Sequence, residues 1–261
     1  MFKSIYQYRH FIFSSIKNDL IMRFKRSKLG AMWVVLNPLS QVLIFALVLS
    51  NIMCARIQGM DSPFSFAIYL MAGTLAWNLF SEIINKSVNL FLDNASLMKK
   101  INFPKVTMPI IMIGSCVLNN ILLFLSILVI FLILGHGFTP SILMLIPVMC
   151  GVVVFAFGIG LILGILNVFI RDIAQVVPIF LQIMFWFTPI VYPANIIPEK
   201  YIAYLHLNPM YPIVEAYHDI LLYGKAPDIF SHMHIYVSGI LISLFGFYMF
   251  RKASPEMVDV L

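Results

Sequence analysis

Glu82 and Lys86 stand four residues apart in a stretch otherwise almost free of charge. On a helix, i and i+4 share a face, and the acid-first order favours an ion pair. Ionisable groups inside a membrane span default to a functional role. A lone Glu82 there would exchange protons; with Lys86 one turn away, a satisfied intramembrane ion pair is the simpler expectation. Arg171-Asp172, adjacent at the edge of an apolar run, either anchors a connection or meets a partner. A third group is basic. Arg23, Lys25, Arg26 and Lys28 cluster ahead of Trp33, and no charge follows until Arg56. Such a cluster meets lipid headgroups or a partner surface and holds one end of a span in place.

Other chemistry is missing. No G-x-x-x-x-G-K-[ST], H-E-x-x-H or G-x-S-x-G occurs, so the phosphate loop, the zinc-protease helix and the nucleophile elbow are all excluded. His232 and His234 are two apart and face different directions on a helix, so no metal site is expected. Cys54, Cys116 and Cys150 are far apart in apolar runs and read as buried free thiols. The chain holds 23 Phe, 11 Tyr and 3 Trp. A pathway lined by such rings would suit sugars, whose C–H faces stack on aromatics while their hydroxyls stay wet.

These groups are positioned by membrane helices. Of 261 residues, 61% are hydrophobic and 11% charged, with mean hydropathy +0.96; a soluble domain carries roughly a quarter charged residues. A span needs about 20 apolar residues, and the apolar stretches give six spans, about 31–54, 66–92, 107–134, 141–167, 173–193 and 232–250. The break within the longest stretch falls at Gly135-His136-Gly137-Phe138-Thr139-Pro140, a Gly/Pro turn cluster. The first twenty residues show no isolated apolar core or cleavage site, so no cleavable signal is expected.

Lys and Arg then fix orientation. The N-terminal segment, Lys99, Lys100 and Lys105, Arg171, and Arg251 with Lys252 fall on one side; only Arg56, Lys200 and Lys225 fall on the other. Both termini are therefore expected in the cytoplasm. The net charge of +6 is a consequence of topology and not a footprint for nucleic acid.

Three segments are not simple spans. Phe2, Ile5, Ile12, Phe13, Ile16, Leu20 and Phe24 fall on one stripe of a helical wheel, with Arg9 and Arg23 intruding. This predicts an interfacial helix over residues 1–29. In 94–105, Asn94 or Ser96 caps a short helix and Pro104 stops it, leaving Leu97, Met98, Ile101 and Phe103 to be covered by the N-terminal interfacial helix or a docking partner. Residues 194–230 hold two apolar stretches too short to cross, Tyr201–Leu207 and Ile213–Leu222. They predict a re-entrant helix pair on the external side, either capping a pathway or lying as a surface cap. The fold class is an all-α integral membrane protein of six spans, with an N-terminal amphipathic interface helix and a periplasmic re-entrant pair between spans five and six.

Several motifs carry a resemblance. Arg23-x-Lys25-x-Ser27-x-Leu29-Gly30-x-x-Trp33-x-x-Leu36-x-Pro38-Leu39 resembles the entry signature of ABC-2 type permeases that export polysaccharides. Lys99-Lys100-x-x-Phe103-Pro104 is similar to their coupling helix, Asn167-Val168-x-x-Arg171-Asp172-Ile173 to their fourth connection, and the run from Asn208 to Pro227 to their external gate. His218 departs from the pattern, since many relatives carry Arg there, which puts a charge role in doubt.

Within the family, the chain most resembles O-antigen export permeases, with capsule and teichoic-acid exporters as cousins. The resemblance implies a homodimer in the bacterial inner membrane and two copies of a separate ATPase that bind ATP and Mg, no cofactor being held by this chain. It implies an undecaprenyl-pyrophosphate-linked polysaccharide as cargo, with 30–261 as the transmembrane domain. It would place ATPase coupling at Leu97, Met98, Lys99, Lys100, Ile101, Phe103, Pro104, Arg171 and Asp172. Lipid-linked substrate would enter at Arg23, Lys25, Arg26, Lys28 and Trp33. The periplasmic gate would use Pro209, Tyr211, Pro212, Glu215, Tyr217 and Tyr223. A proton-coupled carrier working through Glu82 is the alternative of another class; a membrane glycosyltransferase would need clustered carboxylates, which the sequence lacks.

Overall fold

The computed structural model describes residues 6–25, 28, 30–33, 36, 39–40, 65–99, 105–133, 135–228 and 233–261. Among them the elements are helical: α1 Arg9–Lys25, α2 Ser65–Asp93, α3 Ala95–Met98, α4 Thr107–Ile133, α5 Leu145–Phe169, α6 Ile173–Trp186, α7 Glu199–Leu205, α8 Met210–Leu221 and α9 Met233–Val260. Short 3-10 turns at Gly30–Met32, Pro140–Met144 and Ala194–Ile196 punctuate them. Most of the expected first span, 31–54, lies outside the described residues, as does Cys54.

Four described helices are long and apolar enough to cross a bilayer: α2, α4, α5 with its leading 3-10 turn, and α9. The turn between α4 and α5 falls at Gly135, whose φ of 75° suits a residue without Cβ. The fifth apolar stretch differs from expectation. Its helix, α6, has 14 residues and ends at Trp186, a rise of about 21 Å against roughly 30 Å of hydrocarbon. From Phe187 to Pro193 the chain turns back instead of extending the helix.

The core is α2, with 78% of its most apolar window buried against 22% for α9. Small residues let α5 press against both. A Cβ on Gly160 would sit 2.5 Å from Ser87 Oγ, and one on Gly158 would sit 2.6 Å from the Ser243 backbone nitrogen. Helices in lipid associate through such close approach and through interhelical hydrogen bonds. Ser243 Oγ donates to Val154 O at 2.7 Å, and Asn120 Nδ2 donates to Leu75 O at 3.0 Å. Asn167, fully buried, donates from Nδ2 to Val88 O at 2.9 Å and accepts from the Ala174 N–H at 3.1 Å. One side chain thus joins α5, α2 and the start of α6.

α2, α5 and α9 run in one direction and α4 in the other, and together they define two ends. Phe91 stacks on Phe250, and Lys105 Nζ donates to Ser254 O at 3.4 Å. Asp93, Lys105, Arg171, Asp172 and Arg251 therefore share one end, here the charged end. Tyr69, His136, Thr139 and His218 gather at the other, which α7 and α8 cap.

Candidate functional site

At the charged end, Lys86 Nζ lies 2.9 Å from Glu82 Oε1, and Asn119 Nδ2 donates to Glu82 Oε2 at 2.8 Å. Both carboxylate oxygens thus hold donors. One turn past Asp93, Leu97 is half-buried, Met98 is 1% exposed and Lys99 is exposed. Asn94 does not cap α3 as expected. Its Nδ2 donates back to Leu90 O at 2.8 Å, which extends the ladder of α2 into the four-residue α3. Lys100, Ile101, Phe103 and Pro104 lie outside the described residues. Arg171 and Asp172 are exposed in the tight turn between α5 and α6, held from behind by Asn167.

α1 lies against the first turns of α4 through an i, i+4 ridge, Ile12 and Ile16, at 6% and 8% exposure. Ile16 fills the space that a side chain at Gly114 would need. The wider stripe is not all inward: Phe13 is 72% exposed, because a ridge of two isoleucines seats the helix with Phe13 turned about 100° away. Arg23 and Lys25 occupy its last turn, Lys28 and Trp33 are exposed beyond it, and Arg26 is outside the described residues. α1, α2, α3 and α4 leave between them a cleft of about 380 Å³, lined by Asp19, Lys86, Asp93 and Asn94 among apolar side chains.

The capped end is closed by hydrogen bonds to backbone. The Tyr69 hydroxyl is shared between Pro189 O at 2.8 Å and Tyr192 O at 2.9 Å. His218 stacks on Tyr69 with ring centroids 3.8 Å apart, and its Nε2–H donates to Tyr69 O at 3.1 Å, since a carbonyl can only accept. Burial pushes the His218 pKa down to about 3, the hydrogen bond to Tyr69 opposing in part. The imidazole is therefore neutral here, unlike an arginine. His136 Nε2 lies 2.8 Å from Leu221 O, and Thr139 Oγ1 donates to Gly224 O at 3.1 Å.

Of the expected gate residues, Tyr211, Pro212 and Tyr217 are buried, Pro209 is half-buried, and Glu215 and Tyr223 are exposed. Tyr217 is enclosed completely, and its hydroxyl has no hydrogen-bond partner among the described residues. Burial, with Glu215 adding, holds the Tyr211 phenol above its ordinary pKa.

The described residues thus give an ion pair buttressed by an asparagine, a charged end with a cleft, and a capped opposite end, on helices long enough to cross a bilayer. Residues 10–222 match the ABC-2 type transporter family. The chain belongs to that family. This ABC-2 chain is 30% identical over 249 residues to an O-antigen export system permease protein of Klebsiella pneumoniae, covering 93% of this chain and 92% of the relative. A permease protein of the same description from Myxococcus xanthus is 29% identical over 232 residues, covering 87% and 85%. A polysialic acid transport protein of Escherichia coli is 24% identical over 245 residues, covering 92% of each.

Sequence reading missed Asn119 and Asn120 of this ABC-2 chain, and it named Asn167 only within a motif. The three tie α4 and α5 to α2, and polar amides inside apolar helices were the available signal. Cys150 was expected to be buried and is exposed, while Cys116 is buried as expected. Both fall in apolar runs, and only helix rotation separates them.

Proposed function

We propose that this chain is the membrane permease of an ATP-driven exporter that carries undecaprenyl-linked O-antigen polysaccharide out across the bacterial inner membrane. The observation that carries this is the 30% identity to an O-antigen export permease across nearly the whole of both chains. Two copies pair around a central pathway, and a separate ATPase binds ATP and Mg on each cytoplasmic face. The charged end faces the cytoplasm. There Leu97, Lys99 and the residues to Pro104 dock the ATPase together with Arg171 and Asp172, and buried Met98 seats the segment on the bundle. The basic stretch Arg23, Lys25, Arg26 and Lys28, with Trp33, receives the lipid pyrophosphate.

At the capped end, α7 and α8 form the periplasmic gate, where exposed Tyr223 and Glu215 meet the emerging glycan. The buried members, Tyr211, Pro212 and Tyr217, hold those helices in place. A capsular polysaccharide is the second reading, favoured by the similarity to a polysialic acid transport protein.

The test is deletion of the gene followed by surface glycan analysis. Loss of the O-antigen ladder, with lipid-linked polymer accumulating inside, is the expected result. Loss of capsule with an intact ladder would replace the cargo. Export that persists without an ATPase but stops when the proton gradient is collapsed would overturn the mechanism in favour of Glu82.

A further inference from the structure

We propose that residues 251–261, the last three turns of α9, form a strut that seats the segment 94–105 and ties it to α5, so that the two stretches assigned to the ATPase move as one body. The strut rests on the docking reading given above. Those stretches lie on different elements: one joins α2 to α4, and the other, Arg171-Asp172, joins α5 to α6.

The tail of α9 carries a face. Phe250, Ala253, Met257 and Leu261 recur at three- and four-residue spacing, with Arg251, Lys252, Glu256 and Asp259 between them, one apolar stripe on a charged helix. Phe91 stacks on Phe250; α2 ends at Asp93, whereas α9 runs on to Val260. The tail therefore reaches about 12 Å beyond the end of α2. A helix projecting that far from its bundle would be wetted all round. Met257 is 0% exposed instead, Val258 and Leu261 pack on the apolar core, and the four charged residues lie exposed. Pro255 weakens the tail from within, since a proline inside a helix removes one backbone hydrogen bond and crowds the preceding turn. Packing of the stripe holds the last turn.

The tail meets the segment 94–105. Lys105 Nζ donates to Ser254 O at 3.4 Å, and Met98, 1% exposed, belongs to the same apolar core as Met257. Higher up, α9 is locked to α5. A Cβ on Gly239 would sit 3.1 Å from Phe155 Cα, and one on Gly246 would sit 3.1 Å from Gly158 O. Ser243 Oγ bonds Val154 O between those two contacts. Helices packed backbone to backbone transmit strain and move together. Because α5 leads directly into Arg171-Asp172, a push on 94–105 reaches α5 through Lys105, Met257 and α9. These are positioning residues and touch neither the ATPase nor the cargo.

The test measures coupling in the full complex. The chain is purified with its ATPase, reconstituted in vesicles, and supplied with lipid-linked polysaccharide extracted from the deletion strain. ATPase retained, ATP hydrolysed and glycan translocated are then scored. Met257→Ala and Lys105→Met should each keep the ATPase and hydrolyse ATP within twofold of the unmodified complex, while glycan translocated per ATP falls at least fivefold. Lys105→Arg, which keeps the donor, should restore more than half of that yield. Glu256→Gln with Asp259→Asn, on the exposed face of the tail, should change nothing.

An unchanged yield per ATP in Met257→Ala and Lys105→Met overturns the strut. So does loss of the ATPase from either variant, which would make the tail a docking surface, and so does an equal fall in yield in the Glu256 and Asp259 control. Where the variants do not fold, hydrogen exchange on the unmodified complex decides. ATP binding should alter amide exchange in 94–99 and 256–261 together, and a change confined to 94–99 rejects the proposal. An unmodified chain that retains no ATPase defeats the proposed function and the strut with it. An unmodified chain that exports, while its variants keep their yield, defeats the strut alone.

Discussion

At the capped end, Tyr69, His136, Thr139 and His218 each reach across to a backbone carbonyl of another segment. At the charged end, Lys99, Arg171 and Asp172 stand exposed beside an open cleft, and a short interface helix rests on two isoleucines. The difference has a physical cause. Turns buried against a bundle must have their carbonyls satisfied, so polar side chains are spent on backbone at the capped end. Charges at the other end keep their hydration and remain available to a partner. One end thus holds its shape through its own polar groups, and the other, on the proposed function, is the end to be gripped.

The sharpest way to break that contrast is charge reversal at the gripping end. Lys99→Glu with Lys100→Glu should abolish surface glycan, a loss of tenfold or more, while membrane insertion and melting temperature stay unchanged. Normal export from that variant would remove the docking assignment. Next in size is Asn167→Ala, which removes the side-chain bonds to Val88 O and from the Ala174 N–H, the latter keeping its 3.3 Å bond to Arg171 O. It should destabilise by about 1–3 kcal/mol, read by thermal melting in detergent, since each hydrogen bond contributes about 0.5–1.5 kcal/mol net. An unchanged melting point would show that α5 and α6 are held by packing alone.

Tyr69→Phe removes the shared hydroxyl bond to Pro189 and Tyr192, worth about 0.5–1.5 kcal/mol. It should speed proteolysis within 187–209 and leave cleavage near 94–99 as before; equal rates at both ends would erase the contrast. A pH series sharpens it further. His218 is held down to about 3 by burial, below the roughly 6.5 of an unfolded histidine. Between those values the unfolded chain binds a proton that the native chain does not. Stability is therefore full above about pH 6.5 and falls as pH is lowered toward 3. The decline should be shallower in His218→Gln; matching slopes would reject the role.

The smallest effect runs the other way. Tyr217→Phe deletes a buried hydroxyl with no partner among the described residues, so melting should stay level or rise by a degree or two. A marked drop would reveal a partner for that oxygen.

Long apolar stretches and their breaks were legible before any coordinates, because hydrocarbon tolerates few unpaired charges and a Gly/Pro cluster cannot continue a helix. The helix bounds 65–93 and 107–133 fall within a residue or two of that reading. The shortness of α6 was not legible: Phe187 to Val191 is as apolar as the helix before it, and Tyr69 bonding to Pro189 and Tyr192 marks where the chain turns. Nor was it legible that Tyr217 faces the core while Glu215 and Tyr223 face out, since the apolar and aromatic content around α8 permits either rotation.

What the sequence by itself determined is therefore the medium and the family. Composition demands a bilayer, and motif order along nearly the whole chain places it among ABC-2 transporters. Both are properties of one residue after another and need no partner in space. Tertiary structure decided which polar groups meet: Asn119 with Glu82, Asn167 with Val88 and Ala174, and His218 with Tyr69. Those meetings join residues as far as 149 positions apart. They depend on how each helix is rotated, which apolar content leaves open and close packing fixes.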